Sequence, residues 1–246
     1  MKLLVCISKV PDTTSKIVFT ENNTKFNEAG VQFIINPYDE WYALVRSLEL
    51  KETLGGTVTV INVGKADSEQ IIRKALALGA DDAVRIDAEP LDAFQVASAV
   101  ADYAKNEKFD IIMTGKETID YNGGIVGGMI AELLDLPYVS LASKMDVEGD
   151  TLKLERELEG LKESVTLSIP CVISAQKGMA EARIPNMRGI LASKSKPVVI
   201  ITPTTSNIKV SVKSFVLPPE KTGCKLIAPE NAEQIADLLH NEAKVI

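Results

Sequence analysis

Histidine is nearly absent from this chain. Among 246 residues there is one, His240, near the end of the last helical pattern, where a cation suits the helix dipole. That scarcity removes a histidine-based catalytic triad and any multi-histidine metal site. Cysteine is scarce too. Cys6, Cys171 and Cys224 are odd in number and far apart. They make neither a disulfide framework nor a metal spacing, and each reads as a small buried or half-buried apolar residue. A reducing cytoplasm is the expected compartment. Basic residues are outnumbered, 27 against 34 acidic, for a net charge of −7. A nucleic-acid binder would need a basic face, so that class is set aside. No apolar run approaches the ~20 residues that span a membrane, so no direct insertion is expected. MKLLVCISKVP has one charge ahead of a short apolar run and no small-residue cleavage site, and it reads as a first strand. G-x-S-x-G and a paired-cysteine redox motif are both missing, as are internal repeats and low-complexity tracts.

What the chain does have is apolar substance, 46% of its residues. That suffices for one large α/β domain, alone or with an appendage. The organising stretch is residues 109–134, FDIIMTGKETIDYNGGIVGGMIAELL. A short apolar run ends at Thr114 and Gly115, a polar loop follows, and Gly123, Gly124, Gly127 and Gly128 lead into a helical segment. Strand, glycine-bearing loop and helix start make an anion site, because the first helical amides lack internal partners and the dipole favours negative charge. The stretch is neither G-x-G-x-x-G nor a Walker A loop, since Glu117 follows Lys116. On the residues alone two readings stand equally: phosphate approach, or tight helix–sheet packing.

Around that stretch the pattern alternates. Residues 2–8 read as a strand. Residues 11–30 form an excursion, with 17–19 and 31–34 as its hairpin arms. In N-P-Y-D-E, Asn36 is the predicted N-cap and Pro37 the first helical residue, with Trp41, Leu44, Val45 and Leu48 on one face. Asn36 turned toward a ligand is the alternative. Gly55 and Gly56 end that helix, 57–63 is a strand, and a helix from 66 ends at Gly79. Residues 83–86 are a strand, and Asp92 caps the next helix. Strand–helix repetition with short connections predicts a parallel sheet covered on both faces. Beyond Pro137 a strand at 138–142, a hairpin over Gly149-Asp150 (144–147 with 152–157), and strands at 163–169 and 171–175 are predicted. A loop at 176–188, a short helix at 186–193 and a strand at 197–201 follow. Residues 203–220 read as an extended arm with a strand at 208–216, then a turn at 218–223. A last amphipathic helix carries Ala232, Ile235, Ala236, Leu238 and Leu239 on its apolar side.

In order and spacing, LVCISKVPDT, INPYDEW, RKALALGADDAVRI, GKETIDYNGGIVGGM, ERELEGLKE and RIPNMRGILASKSKP resemble the small (beta) subunit of electron transfer flavoprotein. The resemblance runs from residue 1 to about 201 and is weaker in the arm. It implies a doubly wound, mostly parallel α/β sheet of the adenine-nucleotide-binding type, with a β-hairpin excursion and a C-terminal arm ending in a helix. It implies a nucleotide-binding domain over 1–201 and an arm over 202–246 that packs on an alpha subunit. It implies a non-enzymatic electron carrier that takes electrons from flavin-dependent dehydrogenases and passes them toward a quinone oxidoreductase. AMP bound here would be structural, and a redox-active FAD would be held mostly by the larger chain.

By position, the resemblance assigns the nucleotide site to Cys6, Asn36, Val63 and the loop from Gly115 to residue 129. Within it Asp120, Asn122, Gly123, Gly124, Ile125 and Val126 are the phosphate and ribose contacts. It assigns partner contacts to Met179, as an exposed apolar anchor within 176–183, and to Glu163, near the alpha subunit's flavin domain. On the residues alone, Met179 reads as minor packing and Glu163 as an exposed strand charge. Tyr121 to Gly124 and Leu161 depart from the family's usual residues. Two rival functions remain: a bifurcating subunit with FAD in the AMP place and NADH oxidation, and a stand-alone ATP-binding stress-type module. The arm and the 176–188 loop count against the second.

Overall fold

The computed structural model describes residues 1–203, 208–220 and 223–246. β1 (Lys2–Cys6) opens the chain and leads into the excursion. Four short strands build it: β2 (Lys9–Pro11), β3 (Phe19–Thr20), β4 (Lys25–Phe26) and β5 (Phe33–Ile35). β2 pairs with β5, and β3 with β4. The predicted pairing of 17–19 with 31–34 is therefore corrected to two nested ladders. Glu21, Asn22 and Asn23 all take left-handed φ values, so the chain reverses directly after β3.

α1 (Asp39–Leu54) starts later than the sequence predicted. Tyr38 occupies the cap position and supplies no side-chain cap. The Asp39 N–H donates to Pro37 O at 3.0 Å, closing a γ-turn over Tyr38, whose φ of 66° and ψ of −90° belong to the strained hand. Asn36 is thereby placed two residues ahead of the cap, out of reach of the first free amides.

β6 (Thr57–Val63), α2 (Glu69–Leu78), β7 (Asp82–Ile86), α3 (Ala93–Glu107), β8 (Ile111–Gly115) and α4 (Val126–Leu134) follow the predicted alternation. Asp92 caps α3 as predicted, its Oδ1 accepting from Gln95 N at 2.7 Å. In β9 (Tyr138–Glu148) the predicted parallel strand and the first hairpin arm are one continuous strand. Leu141, at φ 59°, marks its bend. The first part runs parallel to β12 (Cys171–Ala175), and the rest antiparallel to β10 (Thr151–Leu158), which pairs with β11 (Leu161–Ser168). α5 (Met187–Ser193) and β13 (Val198–Ile201) complete the domain.

The nine-stranded sheet runs β11-β10-β9-β12-β8-β1-β6-β7-β13. Leu3 and Val5 of β1 face the core under α1 and α2, whereas Leu4 faces the core under α3 and α4. From β1 the chain winds outward through β6 to β7. It then crosses back through α3 to β8, on the other side of β1. The switch point of the sheet therefore lies between β1 and β8, where open α/β sheets form a crevice beyond their carboxyl ends.

The predicted strand at 208–216 does not form among the described residues. Its donors go elsewhere: Lys209 N and Val210 N to Asp92 Oδ2, and Phe215 N to Asn23 O at 2.7 Å. The Phe215 ring stacks on Phe19, centroids 4.5 Å apart. The arm thus reaches from the start of α3 to the β3–β4 turn. Part of the turn predicted at 218–223 lies outside the described residues. The last helix forms in short pieces between Pro229 and Ala243, and Ile235 and Leu239 on its apolar side are exposed. Among the described residues, no helix is long and apolar enough to cross a membrane.

Candidate functional site

The crevice between β1 and β8 gathers most of the predicted site residues. Cys6 ends β1, Val63 ends β6 and Gly115 ends β8. Cys6 is half-buried and Val63 buried. The Cys6 thiol is pushed up by burial first and by the Glu40 carboxyl second, which keeps it protonated and unreactive.

Asn36 is fully buried and does not serve as the cap of α1. Its Nδ2 donates to Glu117 O at 2.8 Å, and its Oδ1 accepts from Ile119 N at 3.0 Å. It therefore ties the start of α1 to the loop after β8. Four residues on, Glu40 ties the same helix start to the loop after β1. Its Oε2 accepts from Ser8 N at 2.6 Å, and Ser8 Oγ lies 2.7 Å from its Oε1. Gly115 passes directly over Glu40: a Cβ on Gly115 would stand 2.7 Å from Glu40 Cγ and 3.0 Å from its backbone N. Glycine is required there for close approach of two segments of the chain.

The loop beyond Gly115 carries the remaining predicted residues. Asp120 Oδ1 accepts from Tyr121 N at 2.9 Å, and Asn122, at φ 49°, donates its N–H to Thr118 O at 2.9 Å. The glycines divide between the two sequence readings. Gly127 is a packing glycine: a Cβ there would come within 2.7 Å of Thr114 Oγ1 and 3.1 Å of the Tyr138 ring. Gly123 is not, since nothing stands closer than 3.7 Å to its Cβ position. Gly124 would meet Lys116 O at 3.1 Å. Ile125 precedes α4 and Val126 begins it, so the helix's free amides open beside this loop. Thr114 Oγ1, buried next to Gly127, has no hydrogen-bond partner among the described residues. A buried hydroxyl left unpaired beside free helical amides is chemistry that an oxyanion would satisfy.

The electrostatics are acidic. Asp39 is raised by burial first, with Lys116 opposing and Glu117 adding to it. Lys116 is itself paired with Glu117 at 3.1 Å. Tyr121 is raised by burial, then by Asp120, Glu28 and Glu89. Any anion held here rests on backbone amides and a hydroxyl more than on free cations.

The structure does not bring the two predicted partner contacts to this crevice. Met179 is only 4% exposed and belongs to the core under α1, which corrects the expectation of an exposed anchor. In the same connection Ile184 and Met187 are 88% and 72% exposed. Glu163 lies on β11 and pairs with Arg156, which also donates to Ser140 Oγ at 3.2 Å. Sequence reasoning missed Thr114 and Glu40, whereas Ser8 lies within residues 6–9, the strand end that the sequence marks as a wall of the site. For Glu40 a signal existed. It stands three before Ala43 and four before Leu44, both buried, so helical spacing puts it on the inward face.

A doubly wound sheet with an amide-lined loop at its switch point defines an α/β class shared by many functions. Comparison with known proteins narrows it. The family model described as Electron transfer flavoprotein domain matches residues 23–206. The chain is 36% identical to "Electron transfer flavoprotein subunit beta" of Bacillus subtilis (strain 168), with 100% of both chains covered. It is 34% identical to the protein of that name from Syntrophomonas wolfei, covering 100% of this chain and 98% of the relative. It is 34% identical to the human one, covering 94% of each. The chain belongs to the electron transfer flavoprotein beta-subunit family.

Proposed function

We propose that this chain is the small subunit of a heterodimeric electron transfer flavoprotein. It pairs with an alpha subunit, accepts electrons from flavin-dependent dehydrogenases and passes them toward a quinone oxidoreductase. The observation that carries the nucleotide part is the unpaired Thr114 hydroxyl beside the free amides at the start of α4. Those groups fit a phosphate, and AMP is the ligand proposed. The loop from Asp120 to Val126 holds its phosphate and ribose, with Gly123 leaving the backbone open to approach. AMP has no redox chemistry, and its part is to join the loops after β1 and β8 into one surface.

FAD, when bound, supplies the electron chemistry, and the alpha subunit holds most of it. This chain contributes its β9–β10–β11 extension, where Glu163 is held by Arg156 on the sheet. The arm from residue 202 packs on the alpha subunit. In support, its described apolar residues Val216 and Leu226 are strongly exposed. The loop after β12 meets the dehydrogenase through Ile184 and Met187.

The test is to identify what heat releases from the purified heterodimer, by mass spectrometry and visible absorption. AMP with one FAD per heterodimer is the expected result. Two FAD per heterodimer would replace this reading with a bifurcating one. ATP on a flavin-free homodimer would overturn it.

A further inference from the structure

A carboxyl buried at the base of the switch-point crevice is unexpected in a site that is to hold an anion. Glu40 is buried, with no cation bonded to it among the described residues and two contacts to Ser8, one at each oxygen. Ser8 donates both, its N–H to Oε2 and its hydroxyl to Oε1, and a neutral acid keeps both contacts once the Ser8 hydroxyl turns to accept the acid's O–H. The groups facing it add negative charge. Asp39 precedes it on α1 and Asp120 faces it from the loop after β8. The Cys6 thiol faces it from β1. Lys116 and Glu117 stand beyond, around Asp39. Burial is the largest cause and, with Asp120 and Asp39, pushes Glu40 up to about 8 against the two Ser8 hydrogen bonds, which lower it.

Glu40 sits under Gly115 and beside Ser8, between the two strand ends where the crevice opens. Resting on the nucleotide reading above, we propose that Glu40 is a positioning residue that couples nucleotide binding to proton uptake. The neutral acid holds the loop after β1 against the strand end of β8. A bound phosphate and an ionised Glu40 then disfavour each other, as like charges in a partly dry crevice do. Linkage makes the effect reciprocal: phosphate binding draws a proton onto Glu40, and ionising Glu40 expels phosphate.

The experiment titrates AMP into nucleotide-free heterodimer from about pH 7 to about pH 9.5, above the second phosphate ionisation near 6. Calorimetry in buffers of different ionisation heat counts the protons. The expected result is an affinity that falls above about pH 8, at most tenfold per pH unit, with proton uptake on binding. In Glu40→Gln the fall and the uptake both vanish, whatever affinity remains, because glutamine copies the neutral acid's bonds to Ser8 without titrating. Proton counting on the wild type needs no variant, so a folding defect in Glu40→Gln does not shield the proposal. Binding that is flat with pH and takes up no proton overturns it. So does a Glu40→Gln protein with the wild-type slope. Failure of AMP to bind at any pH overturns the nucleotide reading itself, and this proposal with it.

Discussion

Asn36 Oδ1 accepts the backbone N–H of Ile119 at 3.0 Å, across 83 residues of sequence. Its Nδ2 completes the clamp on Glu117 O. Asn36→Ala strips both partners from a fully buried position. Each orphaned group costs about 1–3 kcal/mol, so unfolding in urea should show a loss of about 2–6 kcal/mol. AMP affinity should fall with it, because the loop carrying Asp120 loses its brace. A stability change below about 0.5 kcal/mol would show that the clamp is not holding the loop.

The two glycine readings separate by substitution. Gly127→Ala puts a methyl 2.7 Å from Thr114 Oγ1 and 3.1 Å from Tyr138, neither at the far end of a flexible chain. A loss of about 1–3 kcal/mol is expected. Gly123→Ala meets nothing closer than 3.7 Å, and stability should stay within about 0.5 kcal/mol. Its cost should appear in AMP affinity, measured by calorimetry, where the methyl obstructs phosphate approach. Equal thermal shifts for the two variants would erase the distinction between a packing and a loop glycine.

Glu40 also sets a pH dependence of folding. Its folded value, about 8, lies above the ordinary carboxylate value it takes when unfolded, 4.5. Between those values the folded chain binds the extra proton, so stability falls as pH rises through that window. The slope levels off once Glu40 ionises in the folded state as well. Glu40→Gln should therefore gain stability relative to wild type as pH goes from about 5 to about 8.5. The relative gain is on the order of a few kcal/mol. Parallel melting-temperature profiles for the two proteins would mean that Glu40 is ionised throughout.

Much of this architecture was readable because periodicity and caps agreed with each other. Thr57 to Val63, the Asp92 cap and the Gly79 stop fall where the sequence placed them. The site was readable in outline only. Asn36 next to proline reads as a cap, and what makes it a clamp is a loop 81 residues away, invisible to local pattern. Met179 and Ile184 are both apolar residues in one loop, and only the packing under α1 decides which is covered. The arm failed for a related reason: Ile208 to Val216 has strand-forming composition, but its donors go to Asp92 and Asn23 and not to a neighbouring strand.

Asp92 does two jobs with its two oxygens. Oδ1 caps α3, while Oδ2 receives the arm at Lys209 and Val210. Its carboxyl is held below the usual range, first by the Gln95 N–H and then by the arm amides, against a burial effect that opposes them. Asp92→Ala should lose about 1 kcal/mol of cap stability. It should also speed hydrogen exchange at Lys209 and Val210. Asp92→Asn keeps a capping oxygen and should retain most of the cap, while weakening the hold on the arm. Unchanged exchange at those two amides in both variants would show that Phe215 on Phe19 alone secures the arm.

The loop after β12 offers the sharpest separation of packing from docking. Met179 is buried in the core under α1, so Met179→Ala should cost about 2–4 kcal/mol in stability through the cavity it leaves. Any loss of electron transfer in that variant follows from the fold. Ile184 touches almost nothing in this chain, and Ile184→Ala should leave the melting temperature within a degree or so. If the loop meets a dehydrogenase as proposed, Ile184→Ala and Met187→Ala should each raise the apparent KM for the flavoprotein in a coupled reduction assay, by roughly 5–30-fold for the loss of 1–2 kcal/mol of docking contact. The maximal rate should hold, because the electron path itself is untouched. An unchanged KM in both variants would move the dehydrogenase contact off this loop. A raised KM in Met179→Ala, at a temperature where that protein is fully folded, would return it to the buried methionine.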